Sequence, residues 1–422
     1  MKYYKNDIFR PDTETDDPHI VFPCGRIETD NHTVIETVPE MSEKAKEFAD
    51  EINGSVIGSF EKDTDKMCHV STFCFTKDFI YVSYYANTFS PDENPDYQVA
   101  RIAYAPVGDY ENKRVVDIMA AGDELSGHKV KKVYDTVLMQ RDDRPDRIYI
   151  LWTALADDQY YRLYRILNTE TKELGEIGVN RFRAGCVEND FSTSGIKNAL
   201  ASCKTGYREL HVDIGIMQKL SRRTENGIVC YYTGAYSGNF NCIIKSKDLI
   251  TWEYVAQPDV GKGSFSNDAL WENAVYVLGD RVFYFVRQWL PDRKPDGTPI
   301  PGCHRNQWGS DYGFLTCYDL ISKSWARPVL IGDCQSRSDF IYYRNNLYLF
   351  HAPIDRNHIG IVRIDTENIE NSSVVLQADM KGSCFYPFVQ YDYNREKLYM
   401  SYTVDRRHIK ISGFDFDRYI QQ

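Results

Sequence analysis

The sequence predicts an all-β chain folded as a β-propeller. Six four-stranded blades are the simplest count, with five or seven as alternatives, and a strand from the N-terminal region closes the ring. Three observations carry this. A short apolar strand with an aromatic pair recurs six times. Each copy has further strands before and after it, at a spacing of roughly 50 to 75 residues that marks a repeat architecture. The clearest helical pattern, Met41–Ile52, lies outside the repeats.

The recurring strands are Phe79–Tyr85, Arg147–Trp152, Gly227–Tyr232, Arg281–Val286, Asn346–His351 and Lys397–Tyr402. Their β-branched and aromatic enrichment, each behind a turn signal, favours strand over helix. An inner strand precedes each one: His69–Phe75, Asp135–Gln140, His211–Gln218, Asp268–Val277, Arg337–Tyr343 and Tyr386–Tyr391. A third strand follows: Tyr97–Ala105, Tyr160–Leu167, Asn239–Ser246, Tyr312–Asp319, His358–Asp365 and Arg407–Asp415. A fourth is legible in Lys113–Ala120, Thr251–Ala256, Ser324–Ile331 and Ser372–Asp379.

The last unit lacks a fourth strand, because only a few residues follow Asp415. An N-terminal strand is expected to supply it, from His19–Cys24 or His32–Val38, and so to remove an exposed sheet edge. Residues 1–65 are therefore read as the closing strand with a helical and loop cap, and residues 66–422 as the propeller.

Composition narrows the function classes. With 50 Lys+Arg against 61 Asp+Glu the net charge is −11, which excludes a polycationic nucleic-acid binder. Aromatics at 14% exclude disorder for most of the chain. No stretch of about 18 apolar residues is present, so no membrane partner is expected. The N-terminus shows no apolar run behind its charges, and the 11 cysteines are scattered without a C-x-x-C pair. The expectation is a cytoplasmic protein with reduced cysteines and no cofactor or catalytic transition metal, a structural calcium excepted. Oligomeric state is not legible.

In a propeller the innermost strands line the channel, and the loops entering them open on the same face as the loops joining second and third strands. The inner-strand starts carry His69, Asp135, His211 with Asp213, Asn267 with Asp268, Arg337 with Asp339, and Tyr386. The opposing loops are polar and aromatic. Gln288–Asp311, which contains Trp289, His304 and Trp308, exceeds the usual connection length of about 12 residues and reads as a lid. Arg181–Ser194 is expected over the same mouth.

Glycoside hydrolysis needs carboxyl groups whose environments push their pKa values apart, and Asp135, Asp213, Asp268, Glu272 and Asp339 are candidates. Asp268 and Glu272 share one sheet face by the period of two. An Asp at a strand start also commonly caps a turn, which is the bland alternative for each. His69 and His211, near Tyr386 or Tyr236, would instead serve β-elimination at a uronic acid, although a buried histidine is as often a core residue. Arg287, Arg337, Arg356, Arg406 and Arg407 gather in blades four to six, and guanidinium forks grip carboxylates. Trp271, Trp289, Trp308 and Tyr236 offer flat faces for sugar stacking, with Asn267 as a further polar contact.

Tyr231–Tyr236 followed by Ser246-Lys-Asp248-Leu-Ile-Thr-Trp252 resembles the blade-edge hairpin of propeller glycoside hydrolases. It is similar to the S-x-D-L-x-x-W of five-bladed furanosidases and xylosidases, and more loosely to the sialidase Asp-box, whose Trp comes one residue later. Asp17-Pro-His-Ile looks like the Asp-Pro motif of the five-bladed families, where that Asp is a catalytic base, but the following residues depart from the pattern. The six-blade count resembles the sialidase superfamily. Its arginine triad does not transfer residue by residue, because only Arg337 occupies an inner-strand start. The His-bearing inner strands are similar to those of propeller polysaccharide lyases, usually seven-bladed. The resemblance implies a carbohydrate-active enzyme, first an exo-acting glycoside hydrolase on an oligosaccharide with an acidic terminal sugar. A lyase, or a non-catalytic glycan- or protein-binding propeller, is the alternative.

Overall fold

The computed structural model describes residues 33–35, 42–202, 215–216, 219–237, 240–258, 270–288, 312–332, 336–353 and 356–420. Its strands form six sheets, each built outward from an inner strand, in the arrangement of a six-bladed propeller. Blade one is Met67–Phe75, Phe79–Asn87, Gln98–Pro106 and Arg114–Ala120. Blade two is His128–Gln140, Arg147–Ala156, Gln159–Asn168 and Gly178–Val179. Blade four begins with Leu270–Leu278, Arg281–Gln288 and Tyr312–Asp319, and ends with Val329–Gly332. Blade five is Asp339–Tyr343, Asn346–His351, His358–Ile364 and Ser373–Asp379.

Blade three departs from the expected pattern. Two segments, Gly215–Ile216 and Ser221–Glu225, pair with its second strand Ile228–Ser237, so the inner edge runs past Gln218. Arg181–Ser194 is not a loop over the mouth. It forms the hairpin Arg181–Ala184/Val187–Asp190, parallel to Thr251–Ala256 on the blade's outer edge, and leads into the helix Thr193–Ser202. Burial explains the difference, because Phe182 and Phe191 pack 5.2 Å apart in the core between blades two and three. The Ser246–Trp252 motif closes a turn as expected: Asp248 Oδ1 accepts the Ile250 and Thr251 amides at 2.8 Å each, and Trp252 is buried.

The ring is closed from the N-terminal side, but by another strand than either one expected. Val56–Ser59 pairs antiparallel with His408–Phe414 and completes blade six, whose other strands are Phe385–Asp392 and Lys397–Val404. Within His32–Val38, Val34–Ile35 runs parallel to Val329–Gly332 on blade four, while His19–Cys24 and Asp17 lie outside the described residues. The reason is the helix Glu43–Gly54, N-capped by Ser42, whose Ala45, Phe48, Ala49 and Ile52 are buried in the core between blades five and six. Once that face is packed, the next residues reach the edge of blade six.

Neighbouring inner strands pack together all round the ring. Side chains on one blade bind backbone on the next: Thr72 Oγ1 accepts the Leu138 amide, Ser221 Oγ that of Val277, and Asp339 Oδ2 that of Val389, each at 2.8 Å. These ties hold the blade tops at a common level, which positions the site.

Candidate functional site

Four inner strands shift register just inside the mouth, between His69 and Thr72, Tyr134 and Val137, Leu270 and Asn273, and Phe385 and Phe388. A bulge bends its strand and re-aims the side chains there. In three of them a non-glycine residue has left-handed φ: Val70 at 55°, Asp135 at 53° and Tyr386 at 54°. Such backbone costs on the order of 1 to 3 kcal/mol and persists where the surroundings enforce it.

The re-aimed side chains converge. Tyr386 donates its hydroxyl hydrogen bond to Glu272 Oε1, and Arg287 Nη1 donates to Glu272 Oε2 at 2.7 Å. Arg337 Nη2 lies 3.8 Å from Glu272 Oε1 and donates to Asp135 Oδ1 at 2.9 Å and Tyr236 Oη at 3.1 Å. Tyr236 in turn donates to Asp135 Oδ2 at 2.6 Å. Two tyrosine–carboxylate couples, from blades two and three and from blades four and six, are thus bridged by one arginine from the start of blade five. All six of these side chains are buried.

Around them, the Arg356 guanidinium sits 5.6 Å from the Tyr386 ring, and Arg406 pairs with Glu93, which also accepts from Tyr85. His69 stacks on Tyr386, ring centroids 4.4 Å apart at 26°, and neither of its nitrogens has a partner among the described residues. Arg162, buried behind Asp135, donates to the Asp135 carbonyl at 3.2 Å and to Thr153 Oγ1 at 2.8 Å, bracing the left-handed backbone there.

The electrostatics follow from burial and crowded cations. Burial pushes Glu272 up, but Arg287, then Arg337 and the Tyr386 hydroxyl outweigh it and hold the carboxyl below its ordinary value. Burial, reinforced by Glu272, raises the Tyr386 phenol despite Arg356, Arg287 and Arg337, so it rests protonated. Burial and then Asp135 raise Tyr236. His69 is driven well below its ordinary value by burial and by Arg406, Arg356, Arg337 and Arg287, and is neutral. Burial, then Arg287, brings Arg356 down to about 10. Among the described residues, five arginines (162, 287, 337, 356 and 406) gather around three carboxylates (Asp135, Glu272 and Glu93), and Arg287 Nε has no partner among those residues. That excess of positive charge suits an anionic ligand.

Of the residues singled out in the sequence, the structure brings together His69, Asp135, Tyr236, Glu272, Arg287, Arg337, Arg356, Tyr386 and, at the edge, Arg406, while Arg407 is exposed. Asp339 is elsewhere engaged: it binds the Val389 amide and pairs with buried Lys219 at 3.0 Å. Tyr236 offers its hydroxyl rather than a stacking face, because its ring is buried. Trp271 lies on the inner strand of blade four beside Glu272. His211, Asp213, Asn267, Asp268, Trp289, Trp308 and most of the long loop lie outside the described residues. Sequence reasoning missed Arg162 and Glu93. An arginine amid the alternation of Gln159–Asn168 was a usable signal for the first; the second lies in Asn87–Asp96, one of the polar loops expected on the mouth face, but was not itself singled out.

No family model matches the chain, and no curated protein matches it. Among solved structures it is similar to Trypanosoma rangeli sialidase in complex with sialic acid, at 13% identity and a TM-score of 0.49, over 90% of this chain and 59% of that one. It is also similar to the NanB sialidase of Streptococcus pneumoniae (9% identity, TM-score 0.48, 86% and 70% of the chains). A third is the polysaccharide lyase Uly1 (11% identity, TM-score 0.43, 83% and 78%). The chain spans about three-fifths of the trypanosomal sialidase.

Proposed function

We propose that the protein is a glycoside hydrolase that removes a carboxylate-bearing terminal sugar from an oligosaccharide, with Tyr386 as nucleophile and Glu272 as its base. The observation that supports this is the Tyr386–Glu272 hydrogen bond, buried and surrounded by Arg287, Arg337 and Arg356. A carboxylate nucleophile would be repelled by a carboxylate near the anomeric carbon, whereas a neutral phenol is not; tyrosine nucleophiles are a known departure from the two-carboxylate scheme. Glu272, held ionised, takes the phenol proton as the bond from Tyr386 to the anomeric carbon forms and the glycosidic bond breaks. The departing oxygen needs a proton, which the Tyr236 hydroxyl, held between Asp135 and Arg337, supplies. Water then cleaves the glycosyl-tyrosine: its proton goes to the Tyr236 oxygen that had protonated the leaving group, and Glu272 returns the phenol proton to Tyr386. The arginines hold the substrate carboxylate.

The elimination reading draws on His69 beside Tyr386. Their near-parallel stack puts ring faces together, not a ring nitrogen against the phenol, which favours hydrolysis. The test is an oligosaccharide panel carrying sialosides and uronosides, read for reducing ends and for the ultraviolet absorbance of a conjugated unsaturated uronate. Hydrolysis gives the first without the second, and a glycosyl fluoride carrying a second fluorine on the carbon beside the anomeric one is expected to leave its sugar's mass on the peptide containing Tyr386. Tyr386→Phe should lower kcat by at least about 10² to 10⁴ while the protein stays folded. Unsaturated product, or a Tyr386→Phe variant with normal turnover, would overturn the assignment. Every step uses side chains, so turnover is expected to survive EDTA; zinc-reversible loss would refute that.

A further inference from the structure

Blade one carries an exposed aromatic pair in the loop between its second and third strands. Phe89 and Tyr97 stack with centroids 5.1 Å apart at 26°, yet stay 72% and 53% exposed. The loop is rigidly built. Asn87 Oδ1 accepts the Phe89 and Ser90 amides at 2.8 and 3.0 Å, and Asn87 Nδ2 donates to the Asp92 carbonyl at 3.3 Å. It is also fastened to the site: Glu93 binds Tyr85 and Arg406. On the other side the turn Pro95–Tyr97 packs on His128–Gln140, with Asp96 4.0 Å from Lys132, three residues before Asp135. Asn87 lies opposite Met67, so the loop leaves the sheet beside the strand start that carries His69.

We infer that Phe89 and Tyr97 form a platform for the sugar on the leaving-group side of the scissile bond, and that this sugar is a neutral pyranose. An aromatic face matches the apolar face of a pyranose ring, and a preformed stack costs little ordering entropy on binding. Charge selects the class. The loop is acidic, with Asp92 and Asp96 exposed, whereas Arg287, Arg337 and Arg356 are buried. An acidic sugar therefore belongs in the channel and an uncharged one on the rim. This rests on the hydrolase reading and adds the identity of the second sugar.

The experiment compares wild type with Phe89→Ala and Tyr97→Ala on two substrates of one acidic sugar: its glycoside with a neutral disaccharide, and its glycosyl fluoride, which has no leaving-group sugar. kcat/KM on the glycoside should fall about tenfold in each variant, with the fluoride unchanged and Phe89→Trp restoring the glycoside rate. Equal loss on both substrates, or no loss on either, overturns the platform. If no glycoside is turned over, calorimetric binding of the neutral oligosaccharide decides separately: binding by wild type that either alanine variant weakens upholds the platform without the hydrolase, and no binding, or binding equal in all three, overturns it.

Discussion

Arg337→Met replaces the bridging guanidinium by an uncharged side chain of similar length, and its consequence can be worked from the contacts. The arginine serves two buried carboxylates, Asp135 at 2.9 Å and Glu272 at 3.8 Å. Each keeps another partner: Tyr236 at 2.6 Å for Asp135, and Arg287 at 2.7 Å with Tyr386 for Glu272. The loss is thus that of one buried ion-pair partner, about 3 to 5 kcal/mol, and not of two. Equilibrium urea unfolding should show it as a lower midpoint at unchanged slope. Adding Asp135→Asn should recover part of it, because no unpaired charge then remains. The pH dependence has a definite sign. Glu272 in the folded protein titrates below its ordinary 4.5, so its contribution is present above that pH and is lost as pH falls through the folded value. Without Arg337 the carboxyl protonates at higher pH, so the gap between wild type and variant is widest at neutrality and narrows on acidification. A variant within about 1 kcal/mol of wild type, or a gap that widens in acid, would refute the bridge.

His69→Phe keeps the stack on Tyr386 and should retain hydrolysis; abolished turnover would instead put the imidazole in the chemistry. Lys219→Met, which strands Asp339, should destabilise by about 3 to 5 kcal/mol, whereas Lys219→Met with Asp339→Asn should fall close to wild type or above it, measured by urea unfolding. Burial raises Asp339 from 3.8 to about 6 despite Lys219, so stability from this group declines as pH rises between those values, and Asp339→Asn should remove that slope. Deleting residues 1–59 removes the helix and the strand closing blade six and should prevent cooperative folding, while deleting residues 1–41 keeps both and should only modestly lower Tm.

The strands were legible because their cause is local. Short apolar runs of β-branched and aromatic residues, with turn signals before each repeat, mark Phe79–Asn87 or Lys397–Val404 without reference to the rest of the chain. The same pattern put His69, Asp135, Arg337 and Tyr386 at the starts of inner strands, hence on one face. What tertiary structure decided depends on contacts between residues far apart in sequence. Val56–Ser59, not an earlier strand, closes blade six because the helix before it is buried between blades five and six. Arg181–Asp190 joins an outer edge because Phe182 finds a core there. Tyr386 became the partner of Glu272 only through a bulge with left-handed φ, and Arg287 reached the same carboxylate from a second strand, where no inner-strand position marked it. Local sequence sets where the strands lie; which buried charges meet is set by ring closure, since the inner strands must converge and bring the polar groups at their mouths together.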